Sequence, residues 1–245
     1  MSHLPLRYAI MASGNGITAE AIIRATMEGG VLHGLVEVSC LIVSRHGAGV
    51  IKRAKALGMM EEQIHIICPG RFSDPADFGY TILEALEFFE ANLYGQHGWI
   101  PKTPANVVNS RFHGLNQHPA PVPEFGGQGM YGRAPHAAIL YFRRMSGIPI
   151  NTASVAHLVT ANYDEGGVIA QTEVAVLDGD TPWHLQYRVL NLEASTMISA
   201  ILRIVEFGGK VPSFLPSFLS DIRDKFDPEM LSAAKAEAIQ QYPRG

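Results

Sequence analysis

Arg7-Tyr8-Ala9-Ile10-Met11-Ala12 is a short apolar run that leads into Ser13-Gly14-Asn15-Gly16-Ile17-Thr18 and then Ala19-Glu20-Ala21-Ile22-Ile23-Arg24-Ala25. The order is strand, glycine-rich turn, helix. Glycine lets a backbone come close to a ligand, and a helix N-terminus presents unpaired N–H groups at the positive end of its dipole. A phosphate or carboxylate suits Gly14, Asn15, Gly16, Ile17 and Thr18, and a tight turn with no ligand fits them equally well. Gly14-x-Gly16-x-x-Ala19 also fits the dinucleotide fingerprint, whose third position accepts alanine. Arg45, at the end of the second strand, stands where an NADP-dependent reductase would hold an arginine.

Working outward, the second strand covers roughly Leu35 to Ser44, and Ala48–Leu57 carries Ile51, Ala54 and Leu57 at helical spacing before the stop at Gly58. Ile64-His65-Ile66-Ile67-Cys68 reads as a third, buried strand. A loop from Pro69 to Asp77 precedes a helix near Tyr80–Glu90, with Ile82, Leu83, Leu86 and Phe89 on one side. Strands and helices in alternation predict an α/β fold with an open, mostly parallel, doubly wound (Rossmann-like) sheet. The next strand, Asn92 to His97, is more polar than a central parallel strand usually is. It runs into Gly98-Trp99-Ile100-Pro101, and in such sheets ligands bind beyond the carboxyl ends of the strands. Trp99 is there either to pack on a flat ligand ring or to fill the core.

With 245 residues, 47% hydrophobic and 17% charged, the chain is long enough for a sizeable core. A net charge of −4 with mixed signs argues against a general nucleic-acid partner. No apolar run reaches the length of a membrane span, and Met1 to Arg7 lacks a signal pattern, so a cytoplasmic location is expected. Cys40 and Cys68 show no metal-ligand spacing and read as free thiols.

The chemistry lies in the second half. Asn116-Gln117-His118-Pro119 is answered by Asp164-Glu165-Gly166-Gly167. An amide, an imidazole and a carboxylate together can transfer an acyl group: the amide holds the oxyanion, the imidazole moves protons, and the carboxylate orients the imidazole. Taken singly, His118 and Asp164 are more commonly structural, and Asp before a glycine pair is an ordinary turn residue. Between them, Ala120 to Gly132 is a long Pro/Gly-rich loop. Strands at Ile150–Leu158 and Val168–Val176 have no helix between them and so predict an antiparallel pair. His113, His136 and His157 have no short-range metal spacing, and no metal is expected.

These residues together resemble the folate-dependent formyltransferase family. The resemblance is carried by Ser13-Gly14-Asn15-Gly16, Ala21-Ile22-Ile23, Val43-Ser44 and Gly98-Trp99. It continues through Asn116-Gln117-His118-Pro119, His136, Asp164-x-Gly166 with Val168-Ile169-x-Gln171, and Gly179-Asp180 leading to Arg188-Val189 and Glu193. It covers about Arg7 to Val211, which sets a catalytic domain at 1–211 and a C-terminal extension at 212–245. The resemblance implies 10-formyltetrahydrofolate as formyl donor and a primary amine as acceptor, a small phosphorylated one such as glycinamide ribonucleotide. It implies Asn116, His118 and Asp164 as catalytic residues, with the carboxylate raising the pKa of the imidazole. Gly98, Trp99, Ile100, Pro101 and Asp164 would contact the folate, and Gly14 to Thr18 with Glu193 the acceptor. A homodimer is a further expectation. Thr18 replaces the family's Asn, and Leu190 stands where a polar acceptor contact is expected. A hydrolase releasing formate, an NADP-dependent reductase and a non-catalytic binding protein remain the alternatives. The tail repeats Pro-Ser-Phe-Leu at 212–215 and 216–219, then reads as a helix over Asp227–Gln241. Its apolar residues pack either on a second subunit or back on the same domain.

Overall fold

The computed structural model of the chain describes residues 4–243. Its strands are β1 (Leu6–Ala12), β2 (Val36–Val43), β3 (Ile64–Ile66), β4 (Leu93–Gln96), β5 (His113–His118), β6 (Thr152–Leu158) and β7 (Val168–Val174). They form a seven-stranded sheet in the order β3-β2-β1-β4-β5-β6-β7. β1 pairs in parallel with β2 and β4, β2 with β3, and β4 with β5, whereas β6 and β7 are antiparallel. The helices are α1 (Ile17–Thr26), α2 (Gly49–Ala56), α3 (Pro75–Phe88), α4 (Ala105–Val108), α5 (Ala134–Ser146), α6 (Pro182–Glu206) and α7 (Pro228–Gln241). The chain divides into two compact units. One comprises residues 1–116 and 198–212, the other 117–197 and 213–245.

In the first unit the parallel sheet is built as the alternation predicts, with three differences. The third strand stops at Ile66 and is half-buried, because it lies at the end of the strand order with a neighbour on one side only. α3 begins at Pro75 rather than Tyr80: Asp74 caps it by accepting from the Ala76 N–H at 2.8 Å, and Pro75 brings a φ already suited to the first turn. The polar strand β4 is buried along its whole length. Its glycine, Gly95, and Gly114 of the neighbouring β5 each face a large side chain. The Tyr8 ring occupies the space beside Gly95, and the Tyr94 ring lies over Gly114, so a Cβ at either glycine would overlap a tyrosine. A tyrosine of β1 thus fills the space at Gly95 of β4, and a tyrosine of β4 fills the space at Gly114 of β5. Cys40 is buried, Cys68 half-buried, and both are free thiols.

The second unit has its own core. Phe125, Ile139, Phe142, Leu185, Val189, Leu219, Ala234 and Ala238 are buried together, with Phe218, Phe226 and Ile239 packed against them. Residues beyond Val211 therefore fold back on this unit. Leu215 N–H bonds the Val168 carbonyl at 2.8 Å in an isolated antiparallel bridge beside β7, and the amide of Gln171 holds the second Pro-Ser-Phe-Leu repeat through Pro216 O and Phe218 N. Phe142 links the tail to the rest of this unit: its ring lies 5.8 Å from Phe125 and 4.7 Å from Phe226. Among the described residues no helix is long and apolar enough to cross a membrane.

Phe142→Ala is expected to lower unfolding free energy by about 3–5 kcal/mol, measured by urea denaturation, because it removes a buried ring shared by α5 and the tail. A loss below about 1 kcal/mol would mean that the tail contributes little to this core.

Candidate active site

The glycine turn belongs to the first unit. Gly16 takes a left-handed φ of 77° at the N-cap of α1, and a Cβ there would strike Val50. Ser13 ties the turn to its surroundings. Its N–H bonds Gly98 O at 3.1 Å, its Oγ receives the Ser44 hydroxyl at 2.6 Å and the Ile100 N–H at 3.0 Å, and its carbonyl accepts from Arg45 Nε at 2.6 Å. Arg45 is thus engaged by the turn backbone itself. Gly14 and Gly16 are half-buried, Asn15 and Ile17 are exposed, and Thr18 is buried. Two residues that sequence reasoning missed attend the turn. Arg53 donates from Nε to Asn15 O at 2.9 Å, and its guanidinium also pairs with Glu20 in the first turn of α1. Arg24 pairs with the same carboxylate at 2.8 Å, so the acidic charge nearest the helix N-terminus is neutralised. Nothing local in the sequence marks Arg53, which is 38 residues from Asn15.

Gly98 is exposed with a φ of 66°, and Ile100 is 62% exposed. Trp99 is 9% exposed and stacked on Phe78, with centroids 6.3 Å apart and ring planes within 5°. The indole is therefore a core aromatic, the second of the two roles open to it, and its Nε1 is buried without a hydrogen-bond partner.

In the second unit His118 and Asp164 come together. β5 continues through Asn116 to His118, two residues apart and so on one face of the strand. His118 is 3% exposed. Its Nε2 lies 3.0 Å from the Phe125 carbonyl, which can only accept, so Nε2 carries a proton. Its Nδ1 lies 3.5 Å from Asp164 Oδ2. The other carboxylate oxygen, Oδ1, lies 3.4 Å from Nε2 of His157, whose Nδ1 donates to Leu158 O at 2.8 Å. Asp164 Oδ2 also accepts the Gly127 N–H at 2.9 Å. His157 was grouped in the sequence with histidines lacking a metal pattern; only the β6–β7 hairpin puts it on Asp164.

Asp164 sits in the left-handed region at φ 56°, which Asp tolerates better than most residues. Gly126 must lack a Cβ, which would overlap the Asp164 side chain. Burial pushes the Asp164 carboxyl up, but His118, His157 and the Gly127 amide outweigh it and hold the pKa well below the usual range. For His118 the balance is the reverse of the expectation. Burial pushes the imidazole pKa down more strongly than Asp164 raises it, and His157 adds repulsion. The carboxylate therefore does not give a raised pKa in the free protein. His136, buried on α5, is held down at about 3 by burial and stays neutral.

Glu193, on α6, receives a hydrogen bond from the Gln117 side chain, yet burial dominates and lifts its carboxyl from 4.5 to about 7. Gln117 Oε1 is buried without a partner, which fits an amide that donates its N–H groups toward the carboxylate. Leu190, one turn earlier, is 37% exposed. The second unit thus brings His118 and Asp164 together with His157, and holds Glu193 on Gln117, the residue before His118.

The formyl transferase family model matches residues 6–201. A chloroplastic phosphoribosylglycinamide formyltransferase of Arabidopsis thaliana is 30% identical over 84% of this chain and 68% of its own length. The corresponding Vigna unguiculata protein is 28% identical over 82% of this chain, which spans 61% of that relative. Among solved structures, glycinamide ribonucleotide transformylase 1 of Symbiobacterium toebii superposes with a TM-score of 0.69 and 25% identity, covering 83% of this chain and 89% of its own.

The raised Glu193 pKa has a direct consequence for stability. Folding favours the protonated form, so its contribution is whole below pH 4.5 and is lost as pH rises through about 7. Glu193→Gln is expected to show a smaller drop in melting temperature than the parent between about pH 5 and pH 8. Equal drops in the two proteins would remove Glu193 from the groups that titrate there.

Proposed function

The chain belongs to the formyl transferase family, matched over residues 6–201, and on that premise we propose that it moves a formyl group from 10-formyltetrahydrofolate to the primary amine of glycinamide ribonucleotide. The observation that carries the chemistry is the buried His118–Asp164 pair on the second unit, placed by β5 and the β6–β7 hairpin.

In this reading the amine nitrogen attacks the formyl carbon, and a tetrahedral oxyanion forms. The Asn116 amide donates to that oxygen, where a preorganised donor is worth far more than in water. The C–N bond to the folate then breaks. The proton lost by the amine passes through His118 to the leaving folate nitrogen. For this exchange Nε2 of His118 leaves the Phe125 carbonyl to face substrate, and the ring proton moves to Nδ1, where Asp164 Oδ2 accepts it, so that Nε2 is free to take the amine proton. Asp164 stabilises the imidazolium while it exists. The low pKa of His118 in the free protein makes it a base at neutral pH, able to accept the amine proton and quick to give it up.

Gly98, Trp99, Ile100 and Pro101, with Asp164, are proposed as folate contacts, the buried indole contributing through its backbone. Gly14 to Thr18 are proposed for the acceptor's phosphate, with Arg53 added as the nearby cation, and Glu193 for its amine. Leu190 narrows the polar contacts open to that acceptor. The reductase, hydrolase and binding-only alternatives draw no support from the comparisons. A cytoplasmic location, a small-molecule partner rather than a nucleic acid, and a homodimer complete the proposal.

With both substrates supplied, His118→Ala is expected to lower kcat by roughly 10²–10⁴-fold while leaving the affinity for a stable folate analogue within about threefold. Asn116→Ala should cost roughly 10²–10³-fold in kcat. Purified chain that forms no formylated glycinamide ribonucleotide under these conditions overturns the proposal.

A further inference from the structure

The C-terminal segment lies outside the matched span, which ends at 201, yet it reaches the loop whose Gly127 amide binds the carboxylate beside His118. Three of its side chains converge on the turn between Pro119 and Arg133. Ser217 Oγ donates to Glu124 Oε2 at 3.1 Å, and Arg223 pairs with the other oxygen of that carboxylate. Glu124 is 6% exposed and immediately precedes Phe125, whose carbonyl faces His118. From α7, the Lys235 ammonium lies 3.7 Å from where a Cβ on Gly127 would sit, and the Gly127 N–H is the one bound by Asp164. Asp164 and Glu124 both act on that ammonium. One helical turn further, Ile239 packs over Gly129.

We propose that Lys235 is a positioning residue for the reaction: from the C-terminal helix it holds a positive charge beside Asp164 and so sets how strongly that carboxylate can claim a proton for His118. The inference rests on the formyl-transfer reading for its meaning, not for its test. Asp164 faces His118 on β5 and His157 on β6, and Lys235 on α7 stands at Gly127, whose amide the same carboxylate binds. Around it also stand Tyr163 beside Asp164, His136 on α5, and Glu124 with its Arg223 partner. Among these, Lys235 and His157 are the groups whose positive charge weighs against a cationic His118. A fixed ammonium here keeps the imidazole neutral before substrate arrives, ready to accept the amine proton. Burial of the lysine works against its own charge, which the two carboxylates sustain.

The test is an NMR titration of the His118 imidazole in the ligand-free full-length chain, with the resonance assigned by its loss in His118→Asn. Lys235→Gln, which removes the charge and keeps a hydrogen-bond donor, is expected to move the His118 midpoint up by roughly half a pH unit or more, and Lys235→Arg to leave it in place. The acid limb of the kcat/KM profile should move in the same direction. A midpoint unchanged in Lys235→Gln overturns the inference, including the case where only melting temperature falls, since a purely structural lysine would give that result. A shifted midpoint in a chain that transfers no formyl group supports the placement of Lys235 and overturns the functional reading alone.

Discussion

The second unit is arranged around one ionised carboxylate taken out of water. Asp164 keeps its charge because the imidazoles of His118 and His157 and the Gly127 amide approach it at 2.9 to 3.5 Å. A buried carboxylate with no such partners would cost several kcal/mol and would instead take up a proton. Each contact places a constraint elsewhere. Gly126 has to be glycine, Asp164 has to adopt a left-handed backbone, and the loop after Pro119 has to turn its amide inward. Both histidines already face backbone carbonyls with one ring nitrogen, so both turn the remaining nitrogen toward the same carboxylate. One negative charge balances one imidazolium, and the second proton meets repulsion. That competition, added to burial, explains why a histidine beside an aspartate has a depressed pKa.

The tail's role follows from its packing before its polarity. Leu219, Ala234 and Ala238 are buried in the core of the second unit, with Phe218 and Phe226 against them, which fixes α7 along α5. Only on that apolar seat can Lys235, Arg223 and Ser217 be held near Glu124 and Gly127. The loop after Pro119 is therefore braced from a segment that lies outside the span the family model matches.

In the first unit the comparable constraint is the glycine turn that links β1 to α1. Ser13 is its anchor, bonded by residues from the strand ends at Ser44 and Gly98–Ile100. Arg53 and Arg24 offset Glu20, so the N-terminus of α1 keeps its attraction for an anion despite an acid in its first turn.

The sequence by itself determined the alternation of strand and helix, the glycine turn at Gly14–Gly16, the antiparallel pair at its end, and Asn116, His118 and Asp164 as residues to examine. Those features are written in local periodicity and in residue chemistry at short range, which a single chain displays directly. Tertiary structure decided what depends on distant residues meeting. It buried the polar strand β4, with the Tyr8 ring beside its Gly95, and put Trp99 on Phe78. It brought His157 to Asp164 and Lys235 to Gly127, set Arg53 at the turn, and reversed the expected direction of the His118 pKa. Burial and charge balance are sums over everything nearby, and residues 71 positions apart, as Asp164 and Lys235 are, become neighbours only when the chain has folded.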